Sequence, residues 1–292
     1  MTLDQLRIFI AVADLQHVTR AASELNLTQS ATSSAIAALE QRYAIKLFDR
    51  VGRGIALTQT GRAFLGEARA VVARADAAVQ VLNDLAGLKR GTLALAASQT
   101  VANYWLPPRL QAFRKRHPGI AVRVTIANTE QVAAAVHEGR ADLGFVEGPV
   151  DDPLLAARRI DGDTLLIVVG TKHPWAGQRR IAPARLTSSG WVLREPGSGT
   201  RAIFEAALRK AGVKPSELRV ELELPSNEAV RAAVEAGDCA TAISDLVAAP
   251  GLSAGTLHQI KFELPRRAFF VLRHKQHAAS RAETALLESF LP

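Results

Sequence analysis

Four short segments rich in hydroxyl, amide and glycine residues each follow a strand-like run and precede a helix-like run. They are Ser98-Gln99-Thr100, Asn128-Thr129, Gly197-Ser198-Gly199-Thr200 and Ser226-Asn227. A helix N-terminus offers free backbone N–H groups and the positive end of its dipole, and hydroxyl side chains there add further donors. Together such groups bind a small anion without a metal or a cofactor. We therefore expect an anion-binding crevice.

Each of these segments also has a simpler interpretation, because Ser, Thr and Asn are the usual N-cap residues of helices. For any single segment the cap is the favoured interpretation. Four segments at the carboxyl ends of strands, where crevices form in parallel α/β domains, favour a shared site instead. Glu147 is expected at the crossing between two lobes. The predicted effector-binding residues are Ser98, Gln99, Thr100, Asn128, Glu147, Gly197, Ser198, Gly199, Thr200 and Ser226.

A second group of residues, near the N-terminus, has the composition of a DNA-binding surface. A helix is predicted from Thr28, its N-cap, to about Gln41. Its apolar side holds Thr32, Ala35, Ile36 and Leu39, and its other side holds Ser30, Ser33, Ser34 and Ala37. An exposed face of small hydroxyls suits a helix that enters a DNA groove and forms hydrogen bonds there.

Basic residues follow this helix directly. Residues 42–62 carry five of them, Arg42, Lys46, Arg50, Arg53 and Arg62, against one acidic residue. The whole chain of 292 residues has a net charge of +8. The local excess fits a surface that faces phosphates, although a solvated charged face remains an alternative.

The elements that position these residues fall into three zones. Short helical patterns extend to about residue 60; in the first, Leu6, Phe9, Ile10 and Ala13 share one face. Residues 61–88 repeat apolar residues every seven positions, as in a two-helix seam, although a solitary helix packed on its own domain is the alternative. The repeats are Phe64, Val71, Ala78 and Leu85, and Ala68, Ala75 and Leu82. From residue 91 strand-like and helix-like runs alternate, which predicts an α/β domain with mainly parallel sheets.

The first 61 residues resemble the winged helix-turn-helix of the LysR-type transcriptional regulators. The segments that carry the resemblance are LRIFIAVAD, RAASELNLTQSATSSAIAALE and KLFDRVGRGIALTQTG. It continues through LPPRLQAFRKRHPGI, EGRADLGFVEG and REPGSGTR, which are similar to segments of the effector domain in the family's sulfur-assimilation and carbon-fixation regulators. There, loops similar to SQT, the asparagine turn and GSGTR line the inducer pocket.

The resemblance implies a role for each N-terminal polar residue. Residues 28–41 become the recognition helix, with Gln29, Ser30 and Ser33 in the groove. Arg50 and Arg53 belong to the wing, and Arg20 and Thr28 contact the DNA backbone. Ser34 stands where many family members have arginine, so any base or phosphate contact of Ser34 lacks the positive charge of an arginine.

These inferences define a multi-domain α+β protein. We predict a winged helix-turn-helix (1–60), a dimerisation helix (61–89) and a two-lobed effector domain similar to periplasmic binding proteins (90–292). Lobe I covers about 91–161 with 266–292, and lobe II about 162–265. The expected function is sequence-specific transcription control in the cytoplasm, switched by a small anion. The expected partners are double-stranded DNA, further copies of the chain in a homodimer or homotetramer, and RNA polymerase.

The main alternative is an α/β solute-binding or catalytic protein whose N-terminal helices are only structural. An exported binding protein needs a signal peptide, and MTLDQLRIFIAVADLQHVTR carries Asp4, Arg7 and Asp14 within its apolar pattern. No apolar run is long enough for a membrane span. We find no catalytic constellation and expect neither metal nor cofactor, since His274 and His277 lie without carboxylates nearby in the sequence. Cys239 is expected to be a small core residue within a strand.

Overall fold

The computed structural model of the chain describes residues 1–52, 54–85, 91–277 and 279–290. Within the long helix at residues 59–85, the side chains of residues 77, 80, 81 and 83–85 are not described. The chain divides into an N-terminal unit, residues 1–88 with 137–140, and a C-terminal unit, residues 89–136 with 141–292. Arg53 and the predicted boundary at 89/90 lie outside the described residues, and the predicted domain limits stay a prediction.

The N-terminal unit is a helical domain with a two-stranded hairpin. Its elements are α1 (Leu3–Leu15), α2 (Val18–Glu24), α3 (Gln29–Tyr43), β1 (Phe48–Val51), β2 (Gly54–Leu57) and α4 (Gln59–Leu85). The turn between α2 and α3 contains Asn26 in the left-handed region, at φ 56°, which asparagine tolerates better than most residues. The predicted cap is also present: Thr28 Oγ1 accepts a hydrogen bond from the backbone N–H of Ala31. Local sequence therefore sets both ends of this turn.

One apolar cluster holds the helices of this unit together. It includes Leu6, Phe9, Ile36, Leu39 and Leu47, and the predicted apolar face of α1 supplies part of it. The first turns of α4 belong to the same cluster: Ala68 is buried in it, and the ring of Phe64 lies 5.1 Å from that of Phe9.

The packing of Phe64 and Ala68 fits the alternative interpretation, a helix packed on its own domain, at this end of α4. A seam between two chains stays a prediction. Several later apolar residues of α4 lack such cover: Val71, Val79 and Leu82 are exposed, as is Ala78. The side chain of Leu85, the last residue of the predicted seam, is outside the described side chains.

The C-terminal unit alternates strands and helices. Its strands are β3 (Gly91–Ser98), β4 (Ile120–Ala127), β5 (Leu143–Glu147), β6 (Leu155–Gly170), β7 (Gly190–Arg194), β8 (Arg219–Leu224), β9 (Ala240–Ser244), β10 (Leu257–Ile260) and β11 (Arg266–His274). Its helices are α5 (Leu106–Arg116), α6 (Thr129–His137), α7 (Gly199–Lys210), α8 (Asn227–Ala236), α9 (Asp245–Ala254) and α10 (Arg281–Glu288). The predicted α/β alternation is confirmed.

The strands pair in the order β4-β3-β5-β11-β6-β9-β7-β8, with β10 beside β6. Within each lobe the pairs β3–β4, β3–β5, β7–β8 and β7–β9 are parallel. Strands β6 and β11 are antiparallel to each other and to their other neighbours. The expectation of mainly parallel sheets was therefore too simple: the first half of β6 pairs with β11 in lobe I, its second half lies in lobe II, and the sheet is mixed.

Two further expectations concern the position of Cys239 and membrane-spanning helices. Cys239 is half-buried and lies one residue before β9, so it is neither within the strand nor fully in the core. Among the described residues, no helix is long and apolar enough to cross a membrane.

Candidate functional sites

The polar face of α3 is open to solvent along its length. Its buried side holds Thr32, Ile36 and Leu39, as the sequence predicts. The side chains predicted to read DNA are all exposed, namely Gln29, Ser30, Ser33 and Ser34, and so are Arg20 and Thr28. Thr28 and Ser30 also lie within hydrogen-bond distance of each other, 3.1 Å between their hydroxyl oxygens.

The β1–β2 hairpin, the predicted wing, is anchored by a residue that sequence reasoning missed. Glu40, near the end of α3, accepts hydrogen bonds from the backbone N–H groups of Leu47 at 2.7 Å and Phe48 at 3.2 Å. These bonds fix the start of β1 against α3. Arg50 is exposed on β1, opposite Ile55 of β2. The polar face of α3 and Arg50 of the hairpin are thus both exposed within the N-terminal unit.

In the C-terminal unit the four predicted segments meet. Gln99 Nε2 donates to the carbonyl oxygen of Pro225 at 2.5 Å, and the backbone N–H of Asn227 donates to Gln99 Oε1 at 2.8 Å. Asn227 Nδ2 donates to Thr100 Oγ1 at 3.1 Å. The segment after β3 in lobe I is therefore hydrogen-bonded to the segment before α8 in lobe II.

The other two segments meet in the same way. Asn128 Nδ2 donates to Glu195 Oε1 at 3.2 Å and to the carbonyl oxygen of Pro196 at 3.4 Å. The backbone N–H of Glu130 donates to the carbonyl oxygen of Gly197 at 3.2 Å. Gly197 has φ of +83°, and a Cβ atom there would lie 2.6 Å from a carboxylate oxygen of Glu130. The positive φ favours glycine at this position, whereas the carboxylate of Glu130 could move away from a Cβ atom.

The cap interpretation is correct for three of the residues. Ser198 accepts from the backbone N–H of Arg201, Ser226 from that of Ala229, and Asn128 from that of Gln131. Thr200 forms no such bond.

The hydroxyls of Ser98, Thr100 and Thr200 instead bond to side chains, and all three are buried. Glu147, the last residue of β5, receives two of these bonds: Ser98 Oγ donates to its Oε2, and Thr200 Oγ1 donates to its Oε1 at 3.3 Å.

A buried ion pair that sequence reasoning missed lies beside Glu147. Arg267 Nε donates to Asp163 Oδ1 at 2.6 Å, Nη2 donates to Oδ2, and Nη1 donates to Thr200 Oγ1 at 2.8 Å. Ser244 Oγ also donates to Asp163. Burial alone lowers the pKa of Arg267, but the hydrogen bonds to Asp163 and the charges of Glu147 and Asp163 raise it above its ordinary value. The guanidinium therefore stays charged.

A second buried arginine orders the lobe II side. Arg194, at the end of β7, donates to both carboxylate oxygens of Glu195, at 2.8 and 2.9 Å, and to Asn227 Oδ1 at 2.6 Å. Neither arginine was among the predicted site residues. Polar groups from both lobes thus meet in one hydrogen-bonded region of the C-terminal unit, and two buried guanidinium groups belong to it.

Family models match both units of the chain. Residues 3–62 match the model of the bacterial regulatory helix-turn-helix protein, lysR family, and residues 86–292 match that of the LysR substrate binding domain. The RuBisCO operon transcriptional regulator of Allochromatium vinosum is 34% identical over 272 residues, covering 93% of this chain and 85% of that protein. The transcriptional activator CmpR of Synechocystis is 33% identical over 236 residues, 81% and 76% of the two chains.

Solved structures agree in fold. Full-length CbnR complexed with its target DNA superposes with a TM-score of 0.68 at 22% identity, covering 99% of each chain. The regulatory domain of Synechocystis PCC6803 CcmR in complex with 2-PG superposes with a TM-score of 0.63 at 27% identity, covering 69% of this chain and 96% of that one.

Proposed function

The chain belongs to the LysR family of bacterial transcription regulators, and from this premise we propose which residues perform its two tasks. It is a DNA-binding regulator with a helix-turn-helix and an effector-binding domain. We assign base contacts to Gln29, Ser30 and Ser33 and backbone contacts to Arg20, Thr28, Ser34, Arg50 and Arg53. The exposed hydroxyl face of α3 supports the first assignment, and the exposure of Arg50 supports the second.

The effector is proposed to be a small anion bound in the crevice between the lobes. The observation that carries this proposal is that the four polar segments are hydrogen-bonded between the lobes, with the buried guanidinium of Arg267 bonded to Thr200. The CcmR regulatory domain in complex with 2-PG supports a small ligand in this fold. The proposed contacts are Ser98, Gln99, Thr100, Asn128, Glu147, Gly197, Ser198, Gly199, Thr200 and Ser226.

Several finer statements complete the proposal. The exposed apolar residues of α4, Val71, Val79 and Leu82, support a homodimer or homotetramer. RNA polymerase is the proposed protein partner, and the cytoplasm the proposed location, since both follow from regulation of transcription. We infer that the chain is not an enzyme and uses no cofactor, because its curated relatives are named as regulators.

A melting experiment with paired variants tests the effector site. Inorganic phosphate, sulfate and 2-PG are added separately to the full chain, and a ligand at 100 times its Kd is expected to stabilise it by about 2.7 kcal/mol. Thr200→Val removes the hydroxyl at nearly constant shape, and Thr200→Ser retains it. We expect the valine variant to bind about ten- to a hundredfold more weakly and the serine variant to resemble the wild type. Equal affinity of all three proteins would exclude Thr200 from the site.

A further inference from the structure

The carboxylate of Glu147 uses the hydroxyl groups that an anionic effector needs. We propose that Glu147 is a built-in competitor at the effector site, and that the anionic group of the effector binds by taking its place. This inference rests on the proposed effector site and adds to it a determinant of ligand selectivity. It also changes the role of Glu147, which becomes a group that the ligand displaces.

The hydrogen-bond arrangement is the first argument. Ser98 Oγ donates to one carboxylate oxygen of Glu147 and Thr200 Oγ1 to the other. A serine or threonine hydroxyl has one hydrogen to donate. A hydroxyl that donates to Glu147 therefore cannot donate to a ligand at the same time, so an anion that binds these two hydroxyls must first release them from the glutamate.

The local charges are the second argument. Arg267 is shared by two carboxylates: Asp163 takes its Nε and Nη2, and Glu147 Oε1 lies 3.8 Å from its Nη1. The negative charge of Asp245 also attracts this guanidinium. All three side chains of the Asp163–Arg267–Glu147 group are at most 2% exposed. An oxyanion beside Glu147 would add negative charge where carboxylates already outnumber the cation, and like charges repel strongly where water is excluded. Exchange is therefore favoured over joint occupancy.

The position of Glu147 gives this exchange a structural consequence. Glu147 ends β5 in lobe I, and Thr200 lies in the first turn of α7 in lobe II, so their hydrogen bond joins the lobes. A ligand that replaces the carboxylate would take over this bond, one of several between the lobes, through its own oxygens. A tethered carboxylate competes at an effective concentration in the millimolar range or above. Simple monocarboxylates should therefore bind poorly, and the ligand needs further contacts.

A calorimetric titration of inorganic phosphate into the full chain tests the proposal. Glu147→Gln keeps the size and one acceptor oxygen but removes the charge, so we expect the Kd for phosphate to fall about tenfold. The Kd values for sulfate and 2-PG should also fall in this variant. The control is Asp142→Asn, which removes an exposed carboxylate just before the other end of β5, where Asp142 Oδ2 accepts a hydrogen bond from the backbone N–H of Ala94. That variant should bind phosphate as the wild type does.

Unchanged or weaker binding by Glu147→Gln would overturn the proposal, because Glu147 would then be a bystander or a direct ligand contact. So would an equal gain in Asp142→Asn, which would indicate a general charge effect. The Thr200→Val variant separates this failure from that of the site itself. If it binds phosphate normally, the effector site is wrongly placed, whereas weakened binding keeps the site and leaves only Glu147 in question.

A second variant keeps the test decisive if Glu147→Gln does not fold. Glu147→Ala removes the carboxylate, so the hydroxyls of Ser98 and Thr200 and the guanidinium of Arg267 lose this partner. Acetate should then raise the melting temperature of this variant by several degrees, at concentrations that leave the wild type unchanged, and phosphate should compete with it. A Glu147→Ala protein that acetate does not stabilise would contradict the proposed exchange.

Discussion

The ion pair between Asp163 and Arg267 makes a strong prediction about the stability of the C-terminal unit. Asp163 binds the guanidinium through both oxygens, and the two side chains are 1% and 0% exposed. Asp163→Asn removes the negative charge at nearly constant size. Arg267 then keeps the ion pair with Glu147, whose Oε1 lies 3.8 Å from Nη1. The substitution thus leaves a buried cation poorly compensated.

The expected loss is large on the scale of domain stability. Breaking a buried ion pair by removing one partner costs about 3–5 kcal/mol, against a total unfolding free energy of roughly 5–15 kcal/mol. For a domain of this size each kcal/mol changes the melting temperature by about 2–4 °C. The melting temperature of the C-terminal unit should therefore fall by roughly 6–20 °C.

Urea unfolding followed by tryptophan fluorescence measures this unit selectively. The chain has three tryptophans, Trp105, Trp175 and Trp191, and all lie in the C-terminal unit. Asp161→Asn is a matched control on the same strand. Asp161 is partly exposed, pairs with Arg109 at 3.2 Å and accepts a hydrogen bond from Trp105 Nε1 at 2.5 Å. Asparagine keeps an acceptor oxygen for that indole, so the substitution should cost less than about 1 kcal/mol. The reasoning is refuted if Asp163→Asn unfolds within about 1 kcal/mol of the wild type.

Three further predictions concern DNA binding, a helix end and a buried histidine. Arg50→Ala should reduce the slope of log K against log salt by about 0.9, since one phosphate contact is lost; an unchanged slope removes Arg50 from the interface. Ala44→Gly should raise the stability of the N-terminal unit by about 1 kcal/mol, because Ala44 ends α3 with φ of 51°; calorimetric melting measures this, and a lower melting temperature contradicts it. Burial lowers the pKa of His173, whose Nδ1 accepts from the Trp175 backbone N–H while Nε2 bonds Ser189. The folded state binds that proton less readily than the unfolded chain, so the unfolding free energy should fall as pH drops below about 6.5. His173→Asn should flatten this slope, and an identical pH profile for both proteins would refute the assignment.

The features predicted correctly from the sequence depend on neighbours along the chain. Thr28 caps α3 through a bond to Ala31, three residues away, and the apolar face of α3 repeats at helical spacing. Strand and helix alternation in the C-terminal unit is local in the same sense. The antiparallel pairing of β6 with β11 joins residues about a hundred positions apart, and strand patterns alone do not specify such a partner.

The site was predicted in part for the same reason. The four polar segments are visible because each lies at a strand end, whereas Arg267 and Asp163 are 104 positions apart. A signal for both nevertheless exists. Arg267 lies on the same face of its strand as the buried Phe269 and Val271. Asp163 lies on the same face of its strand as the buried Leu165 and Ile167. A charge on the apolar face of a strand needs a buried partner of opposite charge, and this pair could have been matched on that basis.

Selection of DNA from a pool of random duplexes tests the central claim most directly. The full chain is incubated with the pool, and the bound fraction is amplified and sequenced over several rounds. A regulator that reads bases through α3 should enrich one sequence motif, and Ser33→Ala should weaken that enrichment while Thr200→Ser leaves it unchanged. A bound pool as diverse as the input, with wild-type protein that is folded by its melting curve, would contradict the assignment of α3 as a recognition helix.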